Sequence, residues 1–510
     1  MSGQKAINYG EFMQRIKQVS ELLQTNGIFR GDKVVLLSEN MPNWGVAYFA
    51  TTYFGAVIVP ILTDFHPSDI KEIIKHSEAK ALFVSDNHLS TIKDAQDTDI
   101  KLAINLNRLE IIEKLSDSTY LDKTFEKSLE SKPSENDLAA IIYTSGTTGH
   151  SKGVMLSHKN LVTNALSSYS KAKVLPSDTF LSILPLAHTF ECTVGLIVPI
   201  LHGSSVYYLD QAPVIKVLLE AFKTVRPTMI LTVPLIIEKI YKKRVFEKIH
   251  SCVIQKNLYK IRFFRKILNI IAGKKIIKAF GGKVRFFAIG GAPLSPFVEE
   301  FLIEAHFPYI VGYGLTETSP LVAASVLGEK PRFKSTGTAM AGVELKIRNK
   351  DQKTATGEIC VKSPSVMIGY YKDEAKTAEV MEDGWFLTGD LGHIDKDGFL
   401  FISGRSKNVI IGSNGENIYP EHIESIINNH GAVSESMVMQ KNGKLVAMVE
   451  LDYETCSVSI TGDMDNFLEN MRKDINSQLS SFSKVTKFIE QKEPFIKTPT
   501  NKIKRYLYEN

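Results

Sequence analysis

Cysteine is scarce in this chain of 510 residues, and no two cysteines are close together. Cys192, Cys252, Cys360 and Cys456 form no C-x-x-C pair, which excludes a cysteine zinc site and a disulfide framework. Such usage suits a reducing, cytoplasmic compartment. The N-terminus lacks the apolar stretch of a secretory signal. Long hydrophobic runs are missing too: the most apolar segment, Cys192 to Leu201, is too short for a membrane span and contains Pro199. There is no internal repeat, no low-complexity tract and no Gly-Lys-Ser/Thr at Walker A spacing.

What is present is an ordinary globular composition, 44% hydrophobic and 23% charged, long enough for more than one domain. The formal charge of +5 is unevenly distributed. From Tyr241 to Arg285 there are 14 Lys/Arg and one acid, Glu247, so the remainder is net acidic. Within that stretch, residues 259–271 mix basic with bulky apolar side chains. This suits a helix lying on an anionic membrane surface at the inner face of the cell. It equally suits a cationic helix packed on its own domain. No nucleic-acid reader motif accompanies it.

Apolar positions at helical spacing (Phe12, Ile16, Val19, Leu22, Leu23) precede Gly27 and a strand at Val34–Leu37. Helix and short apolar strand alternate again through 44–61, 70–85 and 138–167, the pattern of α/β layers with mostly parallel strands. From about Thr336 the alternation predicts antiparallel strands, with Asp397-Gly398 as a hairpin turn. Residues 94–133 are polar and weakly patterned and read as a surface excursion. The expected fold is α/β: a large N-terminal domain of layered sheets with an associated β-barrel-like part (1–404), and a small mobile α+β domain (405–510).

The densest chemical signal is Tyr143-Thr-Ser-Gly-Thr-Thr-Gly-His-Ser-Lys-Gly153, directly after the apolar run Leu138–Tyr143. Glycines admit backbone N–H groups close to a polyphosphate, and hydroxyls and a lysine add donors and countercharge. Gly149-His-Ser151-Lys-Gly153 also fits G-x-S-x-G, the serine elbow of hydrolases. An elbow follows its strand immediately and opens a helix, whereas Thr144–Gly149 intervene here.

This loop, with Leu184-Pro-Leu-Ala-His-Thr-Phe-Glu191, Gly290-Gly-Ala-Pro-Leu-Ser295, Tyr313-Gly-Leu-Thr-Glu-Thr318, Gly384-Trp-Phe-Leu-Thr-Gly-Asp390, Gly404-Arg-Ser-Lys407 and Thr498-Pro-Thr-Asn-Lys-Ile-Lys-Arg505, resembles the adenylate-forming superfamily. Its members include acyl-CoA synthetases, nonribosomal-peptide adenylation domains and luciferases. Val233-Pro-Leu-Ile-Ile-Glu-Lys-Ile-Tyr241 and the Thr498–Arg505 phrase are most similar to long-chain fatty acyl-CoA synthetases. The resemblance implies an ATP- and Mg²⁺-dependent ligase that activates a medium- or long-chain fatty acid as acyl-AMP. Coenzyme A would then take the acyl group as co-substrate.

By that resemblance, Lys502 bridges carboxylate and α-phosphate, and its loss costs on the order of a hundredfold or more in adenylation. Glu317 and the Thr144 hydroxyl hold Mg²⁺, Thr316 faces the α-phosphate, and His188 sits at the acyl-adenylate junction. Nucleotide contacts fall to Thr144, Ser145, Gly146, Thr147, Thr148, Gly149 and Lys152. Gly290, Gly291, Gly312 and Tyr313 frame the adenine, and Asp390 and Arg405 meet ribose or phosphate. Phe190, Val194 and Gly195 line the acyl tunnel, Lys407 is the interdomain hinge, and Gly415 lies on the coenzyme A loop. Asn501 stands where the family commonly has glycine before the lysine, and Ile411 where some long-chain synthetases carry a second lysine. Three rivals stay open: the same adenylate delivered to a carrier-protein thiol, a hydrolase built on Ser151, and a nucleotide-binding scaffold without turnover.

Overall fold

The computed structural model describes residues 6–91, 98–114, 132–145, 151–209, 211, 213–250, 253–352, 354–412, 416–453, 464–499 and 502–508. Two large sheets make the body. Across the first, the strands run Gly369–Tyr370, Ser151–Ser157, Leu138–Ser145, Val57–Ile61, Lys33–Leu37, Ala79–Val84, Leu102–Asn105 and Glu110–Lys114. Its central members are parallel and buried on both faces, as their unbroken Val/Ile/Leu/Ala runs require. The excursion expected over 94–133 is thus partly wrong. Leu102–Asn105 is a fully buried strand parallel to Ala79–Val84, and Glu110–Lys114 closes that edge. Four residues were too short a run to stand out among polar neighbours.

The second sheet positions the site. Thr179–Ser182, Met229–Thr232, Phe286–Ile289 and Tyr309–Gly314 are parallel neighbours within its seven strands. The carboxyl end of each leads into one motif: 184–191, 233–241, 290–295 and 313–318 respectively. Loops at the carboxyl ends of parallel strands are where α/β folds bind ligands. Phe222, Phe280, Phe287 and Phe301, each nearly without exposed surface, fill the layer behind this sheet.

Beyond it, Glu344–Arg348, Gly357–Lys362, Met381–Glu382, Trp385–Ile394 and Leu400–Arg405 form an antiparallel five-stranded sheet. Gly398, at φ +82°, turns the hairpin anticipated at Asp397-Gly398. After Arg405 and the single turn Ser406–Asn408, a three-stranded sheet (Val433–Lys441, Lys444–Leu451, Lys487–Gln491) packs with helices Pro420–Ile427 and Met464–Ser477 around its own buried cluster. Polar contacts among the described residues tie this part to the body. Ser295 donates to Asn429, and Lys242 Nζ reaches Val433 O at 3.3 Å and Asp452 Oδ2 at 3.5 Å.

Candidate active site

The glycine-rich loop turns out to join two antiparallel strands. Leu138–Ser145 pairs with Ser151–Ser157, with Thr144 opposite Lys152 and Ser145 opposite Ser151. Ser151 therefore opens a strand where a nucleophile elbow requires a helix, which removes the geometric basis of the hydrolase reading. Gly146, Thr147, Thr148 and Gly149, together with the Ser145 side chain and Gly415, lie outside the described residues.

At the end of this strand pair Lys152 points its ammonium at the Tyr370 ring, 5.3 Å from the centroid. Burial, then repulsion from Lys376 and Lys407, holds its pKa below the ordinary lysine range. The Tyr370 hydroxyl donates to Glu317 Oε1 at 2.9 Å. Tyr370 sits there because Gly369–Tyr370 adds to the edge of the first sheet, Tyr370 opposite Val154. Sequence reasoning missed it: Tyr370 lies 53 positions from Glu317 and no spacing links them.

Glu317 is carried by the turn Thr316–Thr318, which is pinned from below. Asn164 donates to Thr318 O and Leu321 O and accepts from Leu321 N–H, so a buried amide fixes the loop's height. Thr193 on the neighbouring helix donates to Ser319 O at 2.9 Å. Gly314 makes the approach possible, since a Cβ there would meet Pro320 O at 2.0 Å. A Cβ on Gly290 would lie 3.4 Å from the Phe190 ring, an ordinary contact, and Gly291 turns at φ +85°. Gly312 lies in the adjoining strand.

Asp390 is 5% exposed, and burial pushes its carboxyl above the usual range, opposed by Arg405 and Tyr313. Arg405 Nε lies 2.8 Å from Oδ1, and the Tyr313 hydroxyl donates to Oδ2 at 2.7 Å. Asp390 and Arg405 are register partners on adjacent strands, which fixes the pair. With one partner on each oxygen, the carboxylate keeps lone pairs for two further hydroxyl donors.

His188 lines a pocket with Thr144, Thr189, Thr316, Leu62 and Pro499. Its Nδ1 accepts from Phe190 N–H at 3.2 Å, so the proton resides on Nε2. Burial, with help from the Lys502 charge, pushes its pKa down to about 4. The imidazole is therefore a neutral donor at physiological pH. Thr189 Oγ1 beside it is buried without a partner. Phe190 and Val194 are buried on the helical segment that follows, which winds as a π-helix over Glu191–Ile197. The space beside Gly195 is filled: a Cβ there would meet Glu191 Oε1 at 2.7 Å. Gly195 thus makes room for a buried carboxyl that accepts from Ser182 at 2.6 Å and whose pKa burial raises to about 8.

Lys502 arrives from the far end of the chain. Lys497 and Ile503 bridge, and Thr498 N–H donates to Lys502 O at 2.8 Å, which brings Lys502 beside Thr498 and Pro499. The segment is anchored where Arg505 pairs with Glu424 and Ile496 N–H donates to the Tyr508 hydroxyl. Pro499 lines the His188 pocket. Lys502 as a residue is exposed, yet protein crowds its ammonium closely enough to lower its pKa. Arg405 adds repulsion, while Asp390 and Glu317 oppose the shift. Lys407, in the single turn between the two parts, is exposed.

The cleft thus gathers the Lys152 ammonium, the Glu317 and Asp390 carboxylates, a neutral imidazole and the Lys502 ammonium. Among the described residues no cluster of three or more His, Cys, Asp or Glu is arranged to hold a metal ion by itself.

The chain belongs to the AMP-binding enzyme family, whose model matches residues 1–371. Among curated relatives, the peroxisomal long chain acyl-CoA synthetase 7 of Arabidopsis thaliana is 33% identical, with 88% of this chain and 69% of the relative covered. Fatty acyl-CoA synthetase A of Dictyostelium discoideum is 30% identical, covering 88% and 72%. Among solved structures, ATP-bound MatB from Rhodopseudomonas palustris matches with a TM-score of 0.78, 25% identity and coverage of 99% and 93%.

Proposed function

We propose that this chain is an ATP- and Mg²⁺-dependent long-chain fatty acyl-CoA synthetase. One observation carries the reading: Pro499 lines the His188 pocket, and the Lys502 charge is close enough to act on His188, Asp390 and Glu317 together. The names of the curated relatives support a fatty acid and coenzyme A as substrates.

In the first half-reaction a carboxylate oxygen of the acid attacks the α-phosphorus of ATP. The bond to the bridging oxygen breaks, and pyrophosphate leaves with its electron pair. Lys502 offsets the negative charge of the two approaching anions, and Thr316 faces the α-phosphate from the opposite wall. His188 donates through Nε2–H to a carboxylate oxygen without adding charge. Asp390 accepts from the ribose hydroxyls, with Arg405 and Tyr313 holding its orientation. Tyr313 and Gly290–Gly291 frame the adenine, and Gly312 lies alongside.

A single carboxylate with one oxygen already held suits Mg²⁺, which takes one or two protein ligands and completes its shell with phosphates and water. Glu317 and Thr144 would hold it, and it would supply charge neutralisation on the phosphates. Lys152 and the loop after Ser145 would grip those phosphates, and Tyr370 keeps Glu317 aimed at them.

In the second half-reaction the sulfur of coenzyme A attacks the acyl carbonyl carbon, the bond to AMP breaks, and the thiol proton leaves to solvent. The nearness of Lys502 to His188, Asp390 and Glu317 supports assigning this arrangement to the first step. Residues 405–510 then swing as a lid about Lys407, bringing in the loop that carries Gly415. Phe190 and Val194 wall the acyl group. Buried, unpaired Cys192 and Cys360 suit a reducing, cytoplasmic compartment. ATP–pyrophosphate exchange driven by saturated fatty acids of graded length tests the substrate class. Absence of exchange with every fatty acid, alongside exchange with another acid, would reassign it.

A further inference from the structure

The helix Arg262–Ala279 leaves a stripe of bulky apolar side chains facing outward. Its buried positions are Asn269, Gly273 and Ile276. Arg265 binds Glu300 at 2.9 Å and Glu304 at 2.7 Å, and Asn269 donates to Glu304 at 2.8 Å. At Gly273 a Cβ would stand 2.7 Å from Ala305 Cβ, so the backbone itself approaches the neighbouring helix Pro296–Glu304. The docked face thus combines polar and small groups with Ile276, which joins the core, and with Ala272 and Ile277 packed against it.

The opposite face carries the bulk. Phe263 is 68% exposed, Phe264 40%, Ile267 40% and Ile271 46%. At roughly 100° per residue these four fall within an arc of about 100°. Ile261 and Ile254, 52% and 70% exposed, extend the apolar surface from the preceding turn and helix. Lys266, Lys274, Lys275 and Lys278 are exposed on the same helix, which contains no acidic residue. A merely solvated cationic helix would turn Lys outward and Phe and Ile inward. Here Ile276 and Ile277 turn inward, but Phe263, Phe264, Ile267 and Ile271 lie outward along with the lysines, which is the composition of a surface that enters lipid at its apolar stripe and meets anionic headgroups at its lysines. Among the described residues no helix is long and apolar enough to cross a membrane, so the contact would be peripheral.

We propose that this helix, with the turn before it, docks the protein on an anionic lipid bilayer. The inference goes beyond the proposed activity, and its test reads lipid binding without turnover.

The full chain is co-sedimented with vesicles of phosphatidylcholine alone and of phosphatidylcholine mixed with phosphatidylglycerol. The expected result is binding to the anionic vesicles, weakened by salt, and none to the neutral ones. Two variants follow: Phe263→Ser with Phe264→Ser, and Lys274→Glu with Lys275→Glu and Lys278→Glu. Each is expected to lose about tenfold or more in vesicle affinity while keeping wild-type melting behaviour. Failure of the wild type to bind anionic vesicles overturns the proposal, and so does undiminished binding in either variant. Wild-type dimerisation without lipid binding, abolished by the Phe pair, would instead make this face a contact between copies of the chain.

Discussion

Replacing Tyr370 with phenylalanine removes one atom from the site and leaves the ring under Lys152 in place. The lost hydroxyl donates to Glu317 Oε1 at 2.9 Å, and Tyr370 is 6% exposed. A hydrogen bond to a charged acceptor contributes about 1.5–3 kcal/mol, and each 1.4 kcal/mol is about tenfold. Glu317 is only partly buried, so the lower end applies, and the apparent Mg²⁺ affinity should fall roughly tenfold. Mg²⁺ titration of ATP–pyrophosphate exchange reads this directly. Mn²⁺ binding to the ATP complex, followed by electron paramagnetic resonance, reads it without turnover. Saturating Mg²⁺ should restore most of the rate, because Glu317 is misaimed rather than lost. An unchanged Mg²⁺ dependence, or a deficit that saturating Mg²⁺ leaves intact, would refute the positioning role.

The pH profile of the first half-reaction should show no inflection from His188 near 6.5, because burial holds its pKa at about 4 and the ring is neutral above that. An inflection near 6.5 that disappears in His188→Gln would contradict this. Glu191, raised to about 8, is protonated in the folded chain while its unfolded counterpart ionises near pH 4–5. Its contribution to stability is full below that unfolded value and declines as pH rises to about 8. Glu191→Gln should therefore gain in melting temperature over the wild type across that window and level off above it. Lys242→Ala cuts the tether to Val433 O and Asp452, and should slow adenylation several-fold while leaving thioester formation from added acyl-AMP unaffected. Equal slowing of both half-reactions would count against that tether.

Parallel strands of the first sheet were legible at Val34–Leu37 and within 44–61, 70–85 and 138–167 because each is a short run of apolar residues buried on two faces, whereas those of the second sheet showed only through the motifs at their carboxyl ends. Leu102–Asn105 was not legible, since a four-residue strand at the margin of a polar stretch has no period to detect. The motifs at the strand ends marked the cleft, but only the fold shows that Ser145 and Ser151 pair across antiparallel strands, which makes Ser151 no elbow. Tyr370 and Asn164 were out of reach because both act through sheet pairing and buried amide bonds between distant segments. Residues 262–279 read as basic and apolar, yet sequence could not say which face docks. That depended on Arg265 finding Glu300 and Glu304.

The central claim, that Lys502 completes an adenylating site for fatty acids, is tested most directly by AMP release with ATP, Mg²⁺ and a long-chain fatty acid. The assay is run with and without coenzyme A, on wild type and Lys502→Ala. The account predicts AMP release that needs both the acid and coenzyme A and falls on the order of a hundredfold in the variant, which should still convert added acyl-AMP to thioester. Undiminished AMP release by Lys502→Ala, or turnover indifferent to the fatty acid, would contradict it.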